Sequence, residues 1–98
     1  ISYGVYNFNS SSPTLMDVTV TASGGTSNVG IINLGTAGTV TIHRSTISGT
    51  TNSIFNNSIY AVRVGVSQLV NAIFVGTGNF TCVGAYNGNF VALNTTCQ

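Results

Sequence analysis

Apolar and polar side chains alternate through Thr14-Leu15-Met16-Asp17-Val18-Thr19-Val20, broken only at the adjacent Leu15 and Met16, and again through Thr39-Val40-Thr41-Ile42. Both segments are rich in β-branched residues. Turn-forming clusters bound them: Asn9-Ser10-Ser11-Ser12-Pro13 before the first, Ser23-Gly24-Gly25 after it, and Gly35-Thr36-Ala37-Gly38 before the second. A two-residue period between such boundaries predicts strands. No segment sustains a helical period, so the chain is read as all β.

The pattern also returns on a longer scale. Tyr3-Gly4-Val5-Tyr6-Asn7 recurs 26 residues on as Val29-Gly30-Ile31-Ile32-Asn33, and Leu15 to Val20 recurs 27 residues on as Ile42 to Ile47. Ile54-Phe55-Asn56 then falls on Ile31-Ile32-Asn33 at an offset of 23, and Val62-Arg63-Val64 on Val40-Thr41-Ile42 at 22. Phe80-Thr81-Cys82 falls on Val62-Arg63-Val64 at only 18, so the repeat shortens toward the C-terminus. A unit of this length cannot bury its apolar face alone, and its solution is to stack strand over strand, about 4.8 Å apart, around a dry interior. The expected architecture is a right-handed parallel β-helix, a β-solenoid of about three to four coils. One domain is expected over residues 1–98, with regular coils in 1–52 and degenerate coils or a cap in 53–98. Inward positions should then form columns: Val20, Ile47 and Leu69 in one, Leu15, Ile42 and Val64 in another, with Phe55, Phe74 and Phe80 filling the interior. Asn7, Asn33 and Asn56 form a further column, read either as a ladder of stacked amides or as ordinary turn residues.

The run from Ser2 to Thr26, with its Tyr3-Gly4-Val5-Tyr6-Asn7, Ser11-Ser12-Pro13-Thr14 and Val18-Thr19-Val20-Thr21-Ala22-Ser23-Gly24-Gly25-Thr26, resembles one unit of the repeats in bacterial exported right-handed parallel β-helix proteins. The tail from Val62 to Gln98, with Thr81-Cys82-Val83 and Thr96-Cys97-Gln98, is similar to the C-terminal ending of such chains. The resemblance implies the fold. It does not select a function, because that family spans adhesins, phage spikes and polysaccharide lyases. Members commonly carry many repeats, whereas this chain has about two regular ones and a degenerate end, which implies a C-terminal capping piece or a small stacking subunit.

Charge is nearly absent. Asp17, Arg44 and Arg63 are the only charged side chains, 3% of the residues against about 25% in ordinary proteins. A net charge of +1 offers no clustered cations for nucleic acid or an anionic membrane surface, and neither is expected as a partner. Mean hydropathy is positive, yet the longest apolar stretch, Leu69 to Val75, is broken by Asn71 and falls far short of the roughly 20 residues that span a bilayer. Membrane insertion is therefore not expected either. Polysaccharide-cleaving β-helices rely on paired carboxylates or calcium ligands, which Asp17 and the terminal carboxyl do not supply within one chain; only a site shared between chains would restore them. Asp17 aligns with Arg44 at the repeat offset, which predicts a cross-coil ion pair. His43 and Arg44 are strand neighbours and point to opposite faces. No catalytic residue, cofactor or metal is assigned, and the chain is read as non-enzymatic.

The remaining candidates are structural or adhesive. Cys82 and Cys97 lie 15 residues apart, and a bridge closing that loop is worth about 3 kcal/mol in the chain-entropy model. Two buried thiols are the alternative; a bridge would place the chain in an oxidising compartment, extracellular or at a cell surface. Tyr3, Tyr6, Tyr60 and Tyr86 are candidate contacts for a second subunit or for carbohydrate. Asn9, Asn56, Asn79 and Asn94 each open an Asn-X-Ser/Thr glycosylation sequon. Because Ile1 enters in mid-repeat without Met or a basic leader, the chain is read as a processed mature subunit or a fragment, its first coil pairing with another copy or with further repeats. Two roles are expected to compete: a self-associating subunit of a fibre or filament built by end-to-end stacking, and a C-terminal cap of a longer adhesin or spike that binds glycans or a host surface.

Overall fold

Twelve strands and no helix make up the chain in the computed structural model, which describes all 98 residues, Ile1–Gln98. They fall into four successive coils of three strands. The first holds β1 (Ser2–Phe8), β2 (Thr14–Met16) and β3 (Thr19–Ala22), and the second β4 (Asn28–Leu34), β5 (Thr39–His43) and β6 (Thr46–Gly49). The third holds β7 (Asn52–Asn56), β8 (Ala61–Gly65) and β9 (Gln68–Val70), and the fourth β10 (Ile73–Phe74), β11 (Asn79–Val83) and β12 (Tyr86–Asn87). Each strand lies beside its equivalent in the next coil. Three parallel sheets result, sheet 1 in the order β1-β4-β7-β10, sheet 2 in the order β2-β5-β8-β11 and sheet 3 in the order β3-β6-β9-β12, and the fold is a parallel β-solenoid.

The register is the one set by the sequence repeat. Val5 pairs with Ile31 and Ile31 with Ile54, Leu15 with Ile42 and Ile42 with Val64, and Val20 with Ile47 and Ile47 with Leu69. The weaker match of Phe80 to Val62 is also a real pairing. Inward positions alternate with outward ones, so β5, β8 and β11 bury Val40 and Ile42, Val62 and Val64, and Phe80 and Cys82, while Thr41, Arg63 and Thr81 face out. These columns make one continuous core, sealed at its margins by Val5, Leu15, Ile73, Val75 and Leu93. At the usual magnitude of about 25 cal/mol per Å² of apolar surface removed from water, they are the main stabilising term.

The asparagine column is a ladder of amides. Asn7 Nδ2 donates to Asn33 Oδ1 at 2.8 Å, and Asn33 Nδ2 donates to Asn56 Oδ1 at 3.2 Å. Asn56 Nδ2 then donates to the carbonyls of Tyr60 at 3.1 Å and Val75 at 3.3 Å. Three buried polar side chains are thus satisfied by one another and by the backbone, which removes the penalty that burial of an unpaired amide carries. A second column, not foreseen from the sequence, runs through the corner between sheets 2 and 3. Val18 N donates to Ser45 Oγ at 3.2 Å and Ser45 N to Ser67 Oγ at 3.0 Å, while each hydroxyl donates to the carbonyl two residues upstream, at His43 and Gly65. The preceding residues, Asp17, Arg44, Val66 and Gly84, all take positive φ between 46 and 68°, so each coil turns this corner in the same left-handed conformation.

Two interior assignments need correction. Phe55 and Phe74 do not fill the core: Ile54 and Ile73 point inward, so their neighbours face outward, where the two rings stack 4.4 Å apart. Only Phe80 of the three is interior.

Replacing Asn33 with Ala orphans Asn7 Nδ2 and Asn56 Oδ1 together. It should cost roughly 2–5 kcal/mol in urea unfolding, at about 1–3 kcal/mol per unsatisfied buried group, against little change for the exposed Asn79→Ala.

Candidate functional site

The two ends of the coil stack differ. At one end β1, β2 and β3 are the outer strands of their sheets and have no neighbour beyond them. Met16 and Val18 are exposed there, and Val5 and Leu15 are only partly buried over the core. At the other end, residues 88–98 turn back across the last coil. Tyr86 forms an antiparallel bridge with Ala92, Asn87 N donates to Val91 O, and Leu93 N donates to Ala85 O, both at 2.9 Å. Cys82 N donates to Thr95 O at 2.9 Å, and the Cys82–Cys97 disulfide fastens the segment to β11. Asn94 Oδ1 accepts from the backbone N–H groups of Thr96 and Gln98, which holds the final turn. An antiparallel segment consumes donors and acceptors that a further parallel coil would need, so this end is covered along β11 and β12, while β10 remains the outer strand of its sheet. The disulfide belongs to a non-reducing environment.

The expected ion pair is present. Arg44 Nε donates to Asp17 Oδ1 at 2.8 Å and Arg44 Nη2 to Asp17 Oδ2 at 3.0 Å, a two-pronged contact that occupies both carboxylate oxygens. The hydrogen bonds from Arg44 hold the Asp17 carboxyl below its ordinary range; partial desolvation opposes them, and the positive fields of Arg44 and His43 add to the depression. The same contact raises the Arg44 guanidinium. His43 projects outward from β5 over Gly65 of the next coil. Arg63 faces outward and is exposed. No three His, Cys, Asp or Glu side chains come together, and no helix is long and apolar enough to cross a membrane.

The tyrosines separate into three places. Tyr3 and Tyr6 stand on the outer face of sheet 1, with ring centroids 5.6 Å apart, and Phe8 continues the row 6.1 Å beyond Tyr6. Tyr86 lies at the closed end, stacked on Phe90 of the returning segment. Tyr60 is wholly buried, which removes it as a contact for carbohydrate or a partner. It sits where β7 turns into β8, and its ring packs against Gly38, where a Cβ would lie 2.8 Å from Cε2. From there its hydroxyl reaches across the second coil to donate to Asn9 O at 2.6 Å. A tyrosine thus pins the third coil to the first, possible because residue 38 has no side chain.

The sequons divide likewise. Asn9, Asn79 and Asn94 are exposed. Asn56 is withdrawn from the set of glycosylation candidates, since it is completely buried and every polar atom of its side chain serves the ladder. Repeat membership and sequon membership conflict at this residue, and the ladder decides it.

Sequence reasoning missed the apolar flank of sheet 1. Its outward column runs through Tyr6, Ile32, Phe55 and Phe74 over all four coils. Beside that column, Tyr3, Val29 and Asn52 are paired in register. The signal was available: in Ile31-Ile32-Asn33 and Ile54-Phe55-Asn56, an inward first and third residue oblige the middle one to face out. No family model, curated protein or solved structure matches the chain.

Because Asp17 is the only acidic side chain, acid sensitivity tied to it is separable by one substitution. A carboxyl with a depressed folded-state pKa adds stability that is fully present above the ordinary aspartate range and is lost as pH falls through the lowered value. Thermal unfolding followed from pH 6 to pH 2 should show that loss for the native chain and not for Asp17→Asn, a residue type that tolerates the left-handed conformation at position 17.

Proposed function

We propose that this chain is a non-enzymatic, extracellular structural module: the capped end of a β-solenoid, which joins further coils through its open first coil. The observation that carries the reading is the contrast between ends, three unpaired edge strands at one and a disulfide-fastened antiparallel cover at the other. Unpaired edges recruit strands, and natural proteins cover or charge them where recruitment is unwanted. The returning segment meets that need at β11 and β12 of the last coil, while the first coil carries only Asp17, at a corner and bound to Arg44. A secreted setting agrees with the disulfide.

The same contrast weighs against unlimited head-to-tail stacking. A filament needs two complementary open ends. With one end closed, two copies meeting by their open edges would do so about a two-fold axis and stop at a dimer, and coils added within or between chains would stop at this cap. Commitment of both Asp17 oxygens to Arg44, in a chain with no other acidic side chain, supports the non-enzymatic part of the reading.

Electron microscopy and intact mass of the native, oxidised protein test the proposal. Discrete particles are expected, whether a dimer or a longer parent stack, and opening the closed end by Cys82→Ala with Cys97→Ala should convert them toward end-to-end chains. Long filaments of unmodified protein assembled from the 10.1 kDa chain would contradict it.

A further inference from the structure

The three outer faces of the solenoid are chemically unequal. Sheet 2 presents Thr14, Thr41, Arg63 and Thr81 in one column, with the exposed Met16 and Val83 in the next, and sheet 3 presents Thr19, Thr46 and Gln68 before Tyr86 at the last coil. Sheet 1 presents aromatic and aliphatic side chains instead, and none of the three charged residues lies on it. Tyr3 is 40% exposed, Tyr6 51% and Phe74 43%, whereas Val29 and Ile32, on the same outer face, are only 4% and 6% exposed. Aliphatic side chains that point out of a sheet and still escape water lie at the bottom of a depression. That depression is a groove of about 230 Å³, with Val29 and Ile32 as floor, Tyr3 and Phe55 as walls, and Ser27 and Asn52 among the polar residues at its rim. Asn52 donates its Nδ2 to Ala72 O at 3.2 Å, which leaves its Oδ1 for a ligand.

We propose that this flank binds an uncharged polysaccharide, with one pyranose ring seated in the groove between Tyr3 and Phe55 and the chain continuing along β1 over Tyr6 and Phe8. A sugar ring is apolar on its C–H faces and polar at its edge, which suits aromatic walls with a hydroxyl and amide rim. The volume lies below the roughly 300–1,000 Å³ that encloses a drug-sized molecule and fits a single ring held at the surface. No Arg or Lys side chain lies on the face to hold an acidic glycan, and the Ile1 α-ammonium at the margin of the groove is its one charge. A second copy fits less well: four strands at about 4.8 Å and at most seven residues at about 3.3 Å give a face of no more than roughly 400 Å² in projection, a narrow platform for the about 800 Å² of accessible surface per partner that a stable dimer buries. The groove opens sideways, so coils joined to the first coil leave it free. Its occupancy is therefore independent of the capping role.

The test is amide NMR of the native, oxidised protein titrated with cellohexaose and with hexa-N-acetylchitohexaose, and with a galacturonic acid hexamer as the charged control. Saturable shifts are expected at Tyr3, Val29, Ile32, Asn52 and Phe55 with at least one neutral oligomer, in the millimolar range and absent with the acidic one. Tyr3→Ala, at an exposed position, should keep the melting temperature and weaken binding by about tenfold. The proposal is overturned if neither neutral oligomer shifts these amides, if the acidic hexamer shifts them equally, or if Tyr3→Ala binds as well as the native chain. It is also overturned if the same amides move with protein concentration alone, which would identify a second copy as the occupant.

Discussion

Parallel stacking of each coil on its own repeat is the constraint from which the rest of this structure follows. A strand in such a sheet has no freedom of register once one inward column is fixed, because a slip of one residue turns every core side chain outward. Here several columns fix it together. Ile31 over Ile54 and Ile42 over Val64 supply burial, while Asn7, Asn33 and Asn56 supply a directional check: a misplaced coil would leave amides unpaired in a dry interior. Apolar columns tolerate exchange of one side chain for another of similar volume, and the amide ladder does not. The stack therefore has both a main stabilising term and a term that selects one arrangement.

Stacking also creates its own difficulty, since a pile of coils ends in exposed edges. The chain treats its two ends by different means. Residues 88–98 abandon the repeat, reverse direction and hydrogen-bond to the last coil, where the Cys82–Cys97 link limits how far they can stray. Nothing comparable covers β1, β2 and β3. Free strand edges at one end and a returning antiparallel segment over β11 and β12 at the other make the stack polar along its axis. The unequal faces add a second polarity, across the axis, with threonine columns on two sheets and an aromatic column over all four coils on the third.

Most of this architecture was legible in the residues because stacking demands like over like. The offsets of 26, 27, 23, 22 and 18 each correspond to an actual strand pairing, even where the repeat had shrunk and only Phe80-Thr81-Cys82 remained to mark it. What escaped has physical reasons. Hydrophobicity alone places Phe55 and Phe74 inside, whereas the alternation set by inward Ile54 and Ile73 sends them outward. Tyr60 carries no sequence sign of burial, since its partner, Asn9 O, is a backbone atom 51 residues away and its room comes from the missing side chain of Gly38. Residues 88–98 match no earlier coil, so a repeat-based reading has nothing to lay them on. Asn56 belonged to two patterns at once, and only the buried ladder shows which one it obeys.

The central claim is that the two ends of the coil stack differ, one covered along β11 and β12 by the returning segment and the other bare, and residue-resolved hydrogen exchange of the native protein tests it most directly. The account predicts slow exchange at Cys82, Asn87 and Leu93, whose N–H groups bond across the closed end, with protection rising further at Asn33 and neighbouring interior positions of the second coil. It predicts fast exchange at those amides of β1, β2 and β3 that face away from the second coil, unless another coil has docked there, in which case particle mass rises as they become protected. Fast exchange at Cys82, Asn87 and Leu93 in the oxidised protein would contradict the account, because the last coil would then be as open as the first.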